Sequence, residues 1–545
     1  MTGTTVTRRW IAPLCGAALV GAHAAALPLF VARTGRPSLR VTIEAPRRAA
    51  GDRLEVRASL PDGLADRTTI HLDGQESGPA ENLASITAAP APPGLHRLEW
   101  RAAYRGGIER RVGWTQLTGP YQDPASPPCG ARILFGQRLL DDGAAGPGTI
   151  AHVMAGLIDG EMRGFERWPV GSYQRIESLA LDWVGADPVR GARGHLRVAV
   201  DLALTSATIG LTVRLEPRLE KGELLIEART EARVDLDNRV YQWAVDLLHG
   251  DEILSRLARR QIAGALDDLL TVPPPLDLGG GRTIELAFCR DSDVEIVSGQ
   301  YAAVRLEARL DQAARIGAQN GRTGGPVLLP AEPPLATPPL AAPVALELDG
   351  NALNGLLYVL WATGYFEEAL AEAKVVESFH SDPIVADLLS VRVRGPILPL
   401  PPTVAAARRP GASYELGVAS TFWLADGDLL TPAHLFGRAG FELRPRVADV
   451  ALTLGELGLT CEPEPGLLEP CYPELAAELI ARAPELHGEL SSWFGRVMSQ
   501  LLVERDLTPP DSPARYRIER TDVVPPPPGR HGPLRLELHG RIQPN

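Results

Sequence analysis

The sequence predicts an α+β chain: two elongated units, each pairing long helices with a long, curved antiparallel sheet, preceded by a small N-terminal β-sandwich. Three observations predict it. Period-two alternation of apolar and charged residues holds from Glu223 to Asp237, well beyond an ordinary strand. The order helix, long strands, long helix, strands occurs between Cys129 and Leu310 and again between Asp349 and Ile542. A Pro-, Gly- and Ala-rich stretch, Gly317–Pro343, divides the two. Strands and helices segregated in this way mark an α+β chain, not a βαβ one.

The 545 residues leave room for about three domains. Hydrophobic residues make up 45% and aromatics only 5%, so the cores are aliphatic. With 67 acidic against 55 basic residues the net charge is −12. That argues against nucleic acid as a partner. It argues equally against a broad basic surface gripping anionic headgroups.

Residues 1–37 read as a targeting segment. Arg8 and Arg9 precede Trp10–Ala32, which carries no charge. About 20 such residues suffice to span a bilayer, with the arginines held in the cytoplasm. Ala22-His23-Ala24 offers a cleavage site instead. Two expectations therefore stand: anchoring in a bacterial inner membrane with the bulk in the periplasm, or secretion after signal cleavage. Either places residues beyond Arg33 outside the cytoplasm. Apart from Cys15, the cysteines are Cys129, Cys289, Cys461 and Cys471, an even set that suits an oxidising compartment. Cys461 and Cys471 bracket a Pro/Gly/Glu loop and are placed to clip it; Cys129 and Cys289 would then tie the two ends of one domain. Four free thiols are the other reading, since spacing does not fix connectivity.

Residues 38–120 read as short strands. Leu39, Val41 and Ile43 alternate with polar neighbours, as do Leu54 and Val56, then Ile70 and Leu72 before Asp73-Gly74. Leu98, Trp100, Ala102 and Tyr104 follow, with Gly106-Gly107 as a turn. This predicts a β-sandwich. Gly94–Trp100 resembles a late strand of bacterial immunoglobulin-like modules, which implies a spacer or adhesion unit.

The first large unit is placed at 129–315. Gly146–Met162 reads as a helix with Ile150, Val153, Met154, Leu157 and Ile158 on one face. Leu196–Leu204 and Ile209–Leu215 alternate as strands, and Glu223–Asp237 predicts a strand of about 45 Å at roughly 3.3 Å per residue. Val240–Leu270 reads as a long helical segment broken near Gly250, followed by strands at Ile284–Phe288, Val294–Ile296 and Val304–Leu310. The linker, 316–343, is predicted to be extended and to lie outside any core.

The second unit, 344–545, opens on Leu346–Phe366. Asp349 and Asn351 are N-cap residue types. Leu353, Leu356, Leu357, Leu360 and Trp361 follow at helical spacing, while Tyr358 and Val359 fill the opposite side. A helix apolar all round is enclosed by protein or by another apolar material. Strands are predicted at Leu388–Val393, Tyr414–Phe422, Ala439–Leu443 and Val450–Leu457, a long helix at Pro473–Val503, and closing strands at Tyr516–Val523 and Leu534–Ile542.

Asn351–Gly364, with its asparagine, Leu-rich run, Leu360-Trp361 and Gly364, resembles the helix that opens the C-terminal half of bactericidal/permeability-increasing protein and its lipid-transfer relatives, the tubular lipid-binding superfamily. By order and pattern the resemblance extends from about Cys129 to Asn545. It implies two units in which a long helix is wrapped by a strongly curved antiparallel sheet around an apolar tunnel. The chain departs from the family in lacking a basic loop tip and in carrying the N-terminal segment and sandwich.

No G-x-S-x-G, H-E-x-x-H, P-loop or dinucleotide fingerprint is present. His249 with Asp251 and Glu252, and His380 with Asp382, read as caps and solvated charges. The expectation is therefore a non-enzymatic protein without cofactor or metal. It is expected to bind phospholipid or another acyl-chain lipid, and to transfer it, in apolar tunnels. The walls are assigned to Ile150, Val153, Met154, Leu157 and Ile158 in the first unit and to Leu353, Leu356, Leu357, Leu360 and Trp361 in the second. The alternative is an envelope adhesion or structural protein with solid-packed domains. The sequence names no protein partner.

Overall fold

The computed structural model describes residues 39–470 and 514–544, apart from short internal stretches and two longer ones, 237–275 and 373–390. The run Trp10–Ala32, the predicted helices Val240–Leu270 and Pro473–Val503, Cys471, His249, His380 and Trp493 lie outside the described residues. Among those described, no helix is long and apolar enough to cross a membrane.

The N-terminal region forms β1 (Val41–Glu44), β2 (Arg53–Ser59), β3 (Arg67–Leu72), β4 (Gln75–Pro79), β5 (Leu83–Pro90), β6 (Gly94–Tyr104) and β7 (Ile108–Thr118). The first unit continues with β8 (Ala131–Gly136), a single turn α1 (Gln137–Leu140), α2 (Ile150–Gly164), and the long strands β9 (Gly171–Val184), β10 (Gly191–Leu202), β11 (Thr205–Glu220) and β12 (Glu223–Leu236). It ends in β13 (Leu276–Gly279), β14 (Arg282–Phe288), β15 (Glu295–Val297), β16 (Tyr301–Arg309) and α3 (Asp311–Gln319). The second unit holds β17 (Val344–Leu348), α4 (Gly350–Ala362), α5 (Tyr365–Glu372), β18 (Val391–Ile397), β19 (Thr403–Ala406), β20 (Tyr414–Asp426), β21 (Leu429–Leu443), β22 (Val450–Glu464), β23 (Leu467–Glu469), β24 (Ala514–Val524) and β25 (Leu534–Pro544). The chain is thus α+β and dominated by antiparallel strands.

The repeated element order becomes a seam through an eight-stranded sheet, β13-β14-β16-β8-β17-β25-β24 with β15 on β16. The opening strands of the two units, β8 and β17, lie side by side, with Ile133 opposite Leu346. Each is flanked on its other side by a closing strand of its own unit: β8 by β16, and β17 by β25. Ile133, Val304, Leu346 and Leu536 contribute to one large cluster on the same face. The opposite face carries an ion ladder across the seam. Glu347, buried on β17, accepts two hydrogen bonds from Arg535 at 2.7 and 3.0 Å. Arg132 on β8 lies 3.1 Å from Glu347 and 3.0 Å from Glu295.

The first unit keeps a sheet to itself, β12-β11-β10-β9. Its strands confirm the predicted length, β12 running from Glu223 as expected. Register shifts between Arg197 and Val198 and between Ala199 and Val200 bend β10 against β9.

Three expectations need correction. The sandwich is not free-standing: β1 pairs with β23, Val41 opposite Leu468, so β1-β2-β5 prolong the second unit's β18-β20-β21-β22-β23 sheet. Leu468 is fully buried among Leu39, Val41, Leu54 and Trp100. Arg97 on β6 and Arg438 on β21 find ionic partners across that joint in Glu456 and Asp73. The linker is not wholly outside a core. Val327 is 1% exposed and packs with Leu95, Leu117, Leu400 and Phe436, because residues 120–122 supply its neighbours with backbone partners. The helix predicted as far as Phe366 divides. Gly364 takes a positive φ of 76°, which ends α4 and lets α5 start in a new direction.

Candidate lipid-binding site

Helix α2 starts where the Thr149 hydroxyl accepts a hydrogen bond from the His152 amide, so Gly146–Thr149 form a turn ahead of it. Ile150, Ala151 and Met154 are buried and Val153 is half-buried against the large cluster. Leu157 and Ile158 lie in the same helix, with side chains outside the described set. The helix packs on β9, and the Tyr173 hydroxyl donates to Asp159. Burial, then that carboxylate, push the Tyr173 phenol up to about 12.

The sheet beside α2 presents apolar rows. Trp183, Ala192 and Leu215 are register partners, followed by Leu181, Gly194 and Val213, then Leu179, Leu196 and Leu211. The first rows are buried. Gly194 leaves room there for the Leu181 side chain, whose end a Cβ would meet at 2.6 Å. Further along, Tyr173 and Ile176 are only half-buried. The strands therefore outrun the tight packing around Ile150 and Met154.

Helix α4 is built differently. Asp349 caps it by accepting from the Ala352 amide. Leu353 and half-buried Leu357 join the large cluster; half-buried Leu356 and buried Trp361 pack against α3 and Leu398; Leu360 is buried. The polar side chains of the helix hold backbone. Buried Asn354 accepts from the Val404 amide at 2.7 Å and donates to the carbonyls of Val327 and Val404. The Trp361 indole donates to Leu398, the Tyr358 hydroxyl to Gly324, and Asn351 accepts from the Leu329 amide.

The two helices are brought together by reciprocal packing. The turn before α2 meets the second unit's β25, where the Ile542 amide donates to Gly148. Helix α4 packs on the first unit's β16. Of the predicted wall residues, Ile150, Val153 and Met154 on α2 and Leu353 and Leu357 on α4 thus border one continuous cluster, whereas Leu356 and Trp361 belong to a separate one.

Sequence reasoning missed a second constellation, on the outer face of β20–β22 under β6 and β7. Asp73, His96, Arg97, Glu99, Glu415, Arg438 and Glu456 form buried or half-buried ion pairs there. One strand row away, Thr421 lies 2.9 Å from His434 Nδ1, and Glu462 lies 2.6 Å from Nε2. The order hydroxyl, imidazole, carboxylate is that of a nucleophilic triad. Thr421 is buried, however, and the Arg47 guanidinium sits against the imidazole, so the array ties strands together. The only signal in the sequence is the presence of charges inside strands. The pairs that join the N-terminal strands to the second unit, Arg438 with Asp73 and Arg97 with Glu456, lie hundreds of positions apart.

No family model matches the chain. No curated protein matches it either. Among solved structures it is similar to a lipopolysaccharide binding protein, at 12% identity and a TM-score of 0.32, over 77% of this chain and 99% of that one. It is also similar to P47 of Clostridium botulinum E1, at 7% identity and a TM-score of 0.24, over 75% and 99% respectively. Both TM-scores lie below the level at which two chains share a fold.

Proposed function

We propose that the chain binds acyl-chain lipid in the cell envelope, with α2 and the inner face of β9–β12 as the principal wall. The observation that carries this reading is the length and one-sidedness of that sheet. Its apolar rows are buried from Trp183, Ala192 and Leu215 as far as Val198, and the paired strands run on beyond to half-buried Ile176 and Tyr173. A compact plug needs no strand of this length. An acyl chain lying along such a face gains about 0.8 kcal/mol per buried methylene and needs few polar contacts. Leu353, Leu356, Leu357, Leu360 and Trp361 extend the wall into the second unit. Trp10–Ala32 tethers the protein to the inner membrane, or directs its secretion after cleavage. The reading assigns no catalytic step, cofactor or nucleic-acid contact.

The second reading, a solid-packed envelope scaffold, is favoured by one feature: α4 is hydrogen-bonded to buried backbone through Asn351, Asn354, Tyr358 and Trp361. The test is lipid extraction and native mass spectrometry of the full chain after detergent-free purification. Wild type retains acyl lipid, and Val153→Asp, at a half-buried wall position, loses it while still unfolding in one cooperative transition. Lipid-free wild type, stable and rigid, selects the scaffold.

A further inference from the structure

The N-terminal sandwich touches the second unit in two unlike ways. One is strand pairing, β1 on β23, continuous backbone hydrogen bonding that does not titrate. The other is the face-on contact of β6 and β7 with β20–β22, held by side chains. Arg47 belongs to this second contact. Its carbonyl accepts from the Leu117 amide of β7, and the Ala49 amide returns a bond to the Leu117 carbonyl, so Arg47 moves with β7. Its guanidinium lies 4.3 Å over the Trp114 ring, also on β7. On its other side one nitrogen stands 3.1 Å from His434 Nδ1 and 3.2 Å from Nε2. Near-equal distances to both ring nitrogens place the cation on the face of the imidazole.

The groups around His434 leave it one comfortable charge state. Glu462 from β22 sits 2.6 Å from Nε2, where its carboxylate accepts a hydrogen bond from the ring N–H. Thr421 from β20 sits 2.9 Å from Nδ1 and gives it one. Arg47 covers the ring, and among the described residues no second carboxylate faces it. A proton added at Nδ1 turns that nitrogen from acceptor to donor, which the Thr421 hydroxyl meets by rotating to accept. The added proton also sets a second cation against Arg47 at van der Waals distance. Burial holds the imidazole below the ordinary histidine range, with Arg47 adding to this and Glu462 opposing it. The hydrogen bond from His434 holds the Glu462 carboxyl below the usual carboxylate range.

We propose that Arg47, His434 and Glu462 form an acid-operated latch, which keeps β6 and β7 closed on the second unit's outer sheet face at neutral pH and releases them as the medium acidifies. The sign follows from linkage. A histidine that binds its proton less well when closed than when open favours the closed form above the ordinary histidine pKa. That preference is lost as pH falls below it. Glu462 is held low chiefly by His434 on the neighbouring strand, a bond that the open form keeps, so the pH dependence rests on His434. Release pulls Arg47 and the Gly113 amide, which donates to Thr460, off β22. It uncovers the apolar contact of Leu95 and Leu117 with Phe436, while β1–β23 keeps the module attached.

The test uses the full chain with Cys15→Ser and nitroxides at Ile108→Cys on β7 and Leu430→Cys on β21, both exposed positions. Pulsed electron paramagnetic resonance reads the distance between them at about pH 7.5 and about pH 5, either side of the histidine range. A second, longer distance population is expected at the lower pH. The dependence on pH disappears in His434→Gln and in Arg47→Gln, where the ring cannot be charged or the facing cation is gone. A distribution that does not change with pH in the wild type, or a pH response that survives in either variant, overturns the latch. The measurement is independent of whether lipid is bound.

Discussion

At the scale of single residues, the apolar side chains of α4 are less telling than the polar ones between them. Asn354 spends its amide on both sides of the strand start at Val404 and on the Val327 carbonyl of the linker. Asn354→Leu keeps the helix pattern and strands a buried N–H. The expected loss is about 3 kcal/mol, the cost of leaving two or three buried groups unpaired, read as a lower urea midpoint. A midpoint within experimental scatter of wild type would mean that water or a shifted neighbour replaces the amide. Part of this was legible. Asp349 as the cap and the enclosed Leu/Trp helix follow from residue types and spacing alone. The partners of Asn354 were not, because hydrogen-bond partners that far along the chain are set by tertiary packing and leave no periodic trace. The same holds for Arg47 and His434, which lie 387 positions apart.

At the scale of elements, alternation located β10–β12, β22 and β25 because one face of each is apolar along much of its length; it did not locate β9, where Tyr173, Ile176 and Leu179 fall out of a strict period of two. It failed on the first half of β21, where Pro432, His434 and Gly437 interrupt the pattern. That half is a strand because β20 and β22 pair with it on both sides, from Leu429 opposite Asp426 onward. Gly364 gave no sign of ending the helix early, since its positive φ is a property of the packed turn. The disulfide is the clearest case of a partial reading. Cys129 and Cys289 do pair, tying the approach to β8 to the end of β14 across 160 residues. Cys461 is disulfide-bonded too, while its expected partner Cys471 lies outside the described residues. Cysteine count and compartment predicted the bonds; only the sheet order β14-β16-β8 shows why the first pair can meet. Replacing both Cys129 and Cys289 by serine frees a long loop in the unfolded chain. The expected cost is about 4 to 5 kcal/mol on chain-entropy grounds, seen as a lower unfolding midpoint under non-reducing conditions. A difference below about 1 kcal/mol would show that the unfolded chain is already held compact in this region.

At the scale of the whole molecule, the two units are less separable than their linker implies, because β8 and β17 are neighbours in one sheet. The repeat was visible in the order of elements, but the seam was not, as nothing in a strand's own sequence names the strand beside it. The ion ladder is what distinguishes this seam from ordinary strand pairing. Glu347 carries the load of two cations, Arg535 from its own unit and Arg132 from the other, with little water to share it. Glu347→Leu removes the anion and leaves both guanidiniums beneath the linker side of the sheet. Breaking a buried pair from one side costs about 3 to 5 kcal/mol. Replacing Glu347 and Arg535 together with apolar residues of similar volume is far milder, since the remaining cation, Arg132, keeps Glu295. Glu347→Leu combined with Arg535→Met should therefore recover most of the stability lost by Glu347→Leu alone. The readout is the midpoint of thermal unfolding, together with whether the chain melts in one step or two. In the single variant the seam weakens first and the transition splits. In the double variant it sharpens again. If the double variant melts as early as the single one, the ladder's electrostatics are not what joins the halves, and the backbone pairing of Ile133 with Leu346 and its neighbours carries the seam unaided.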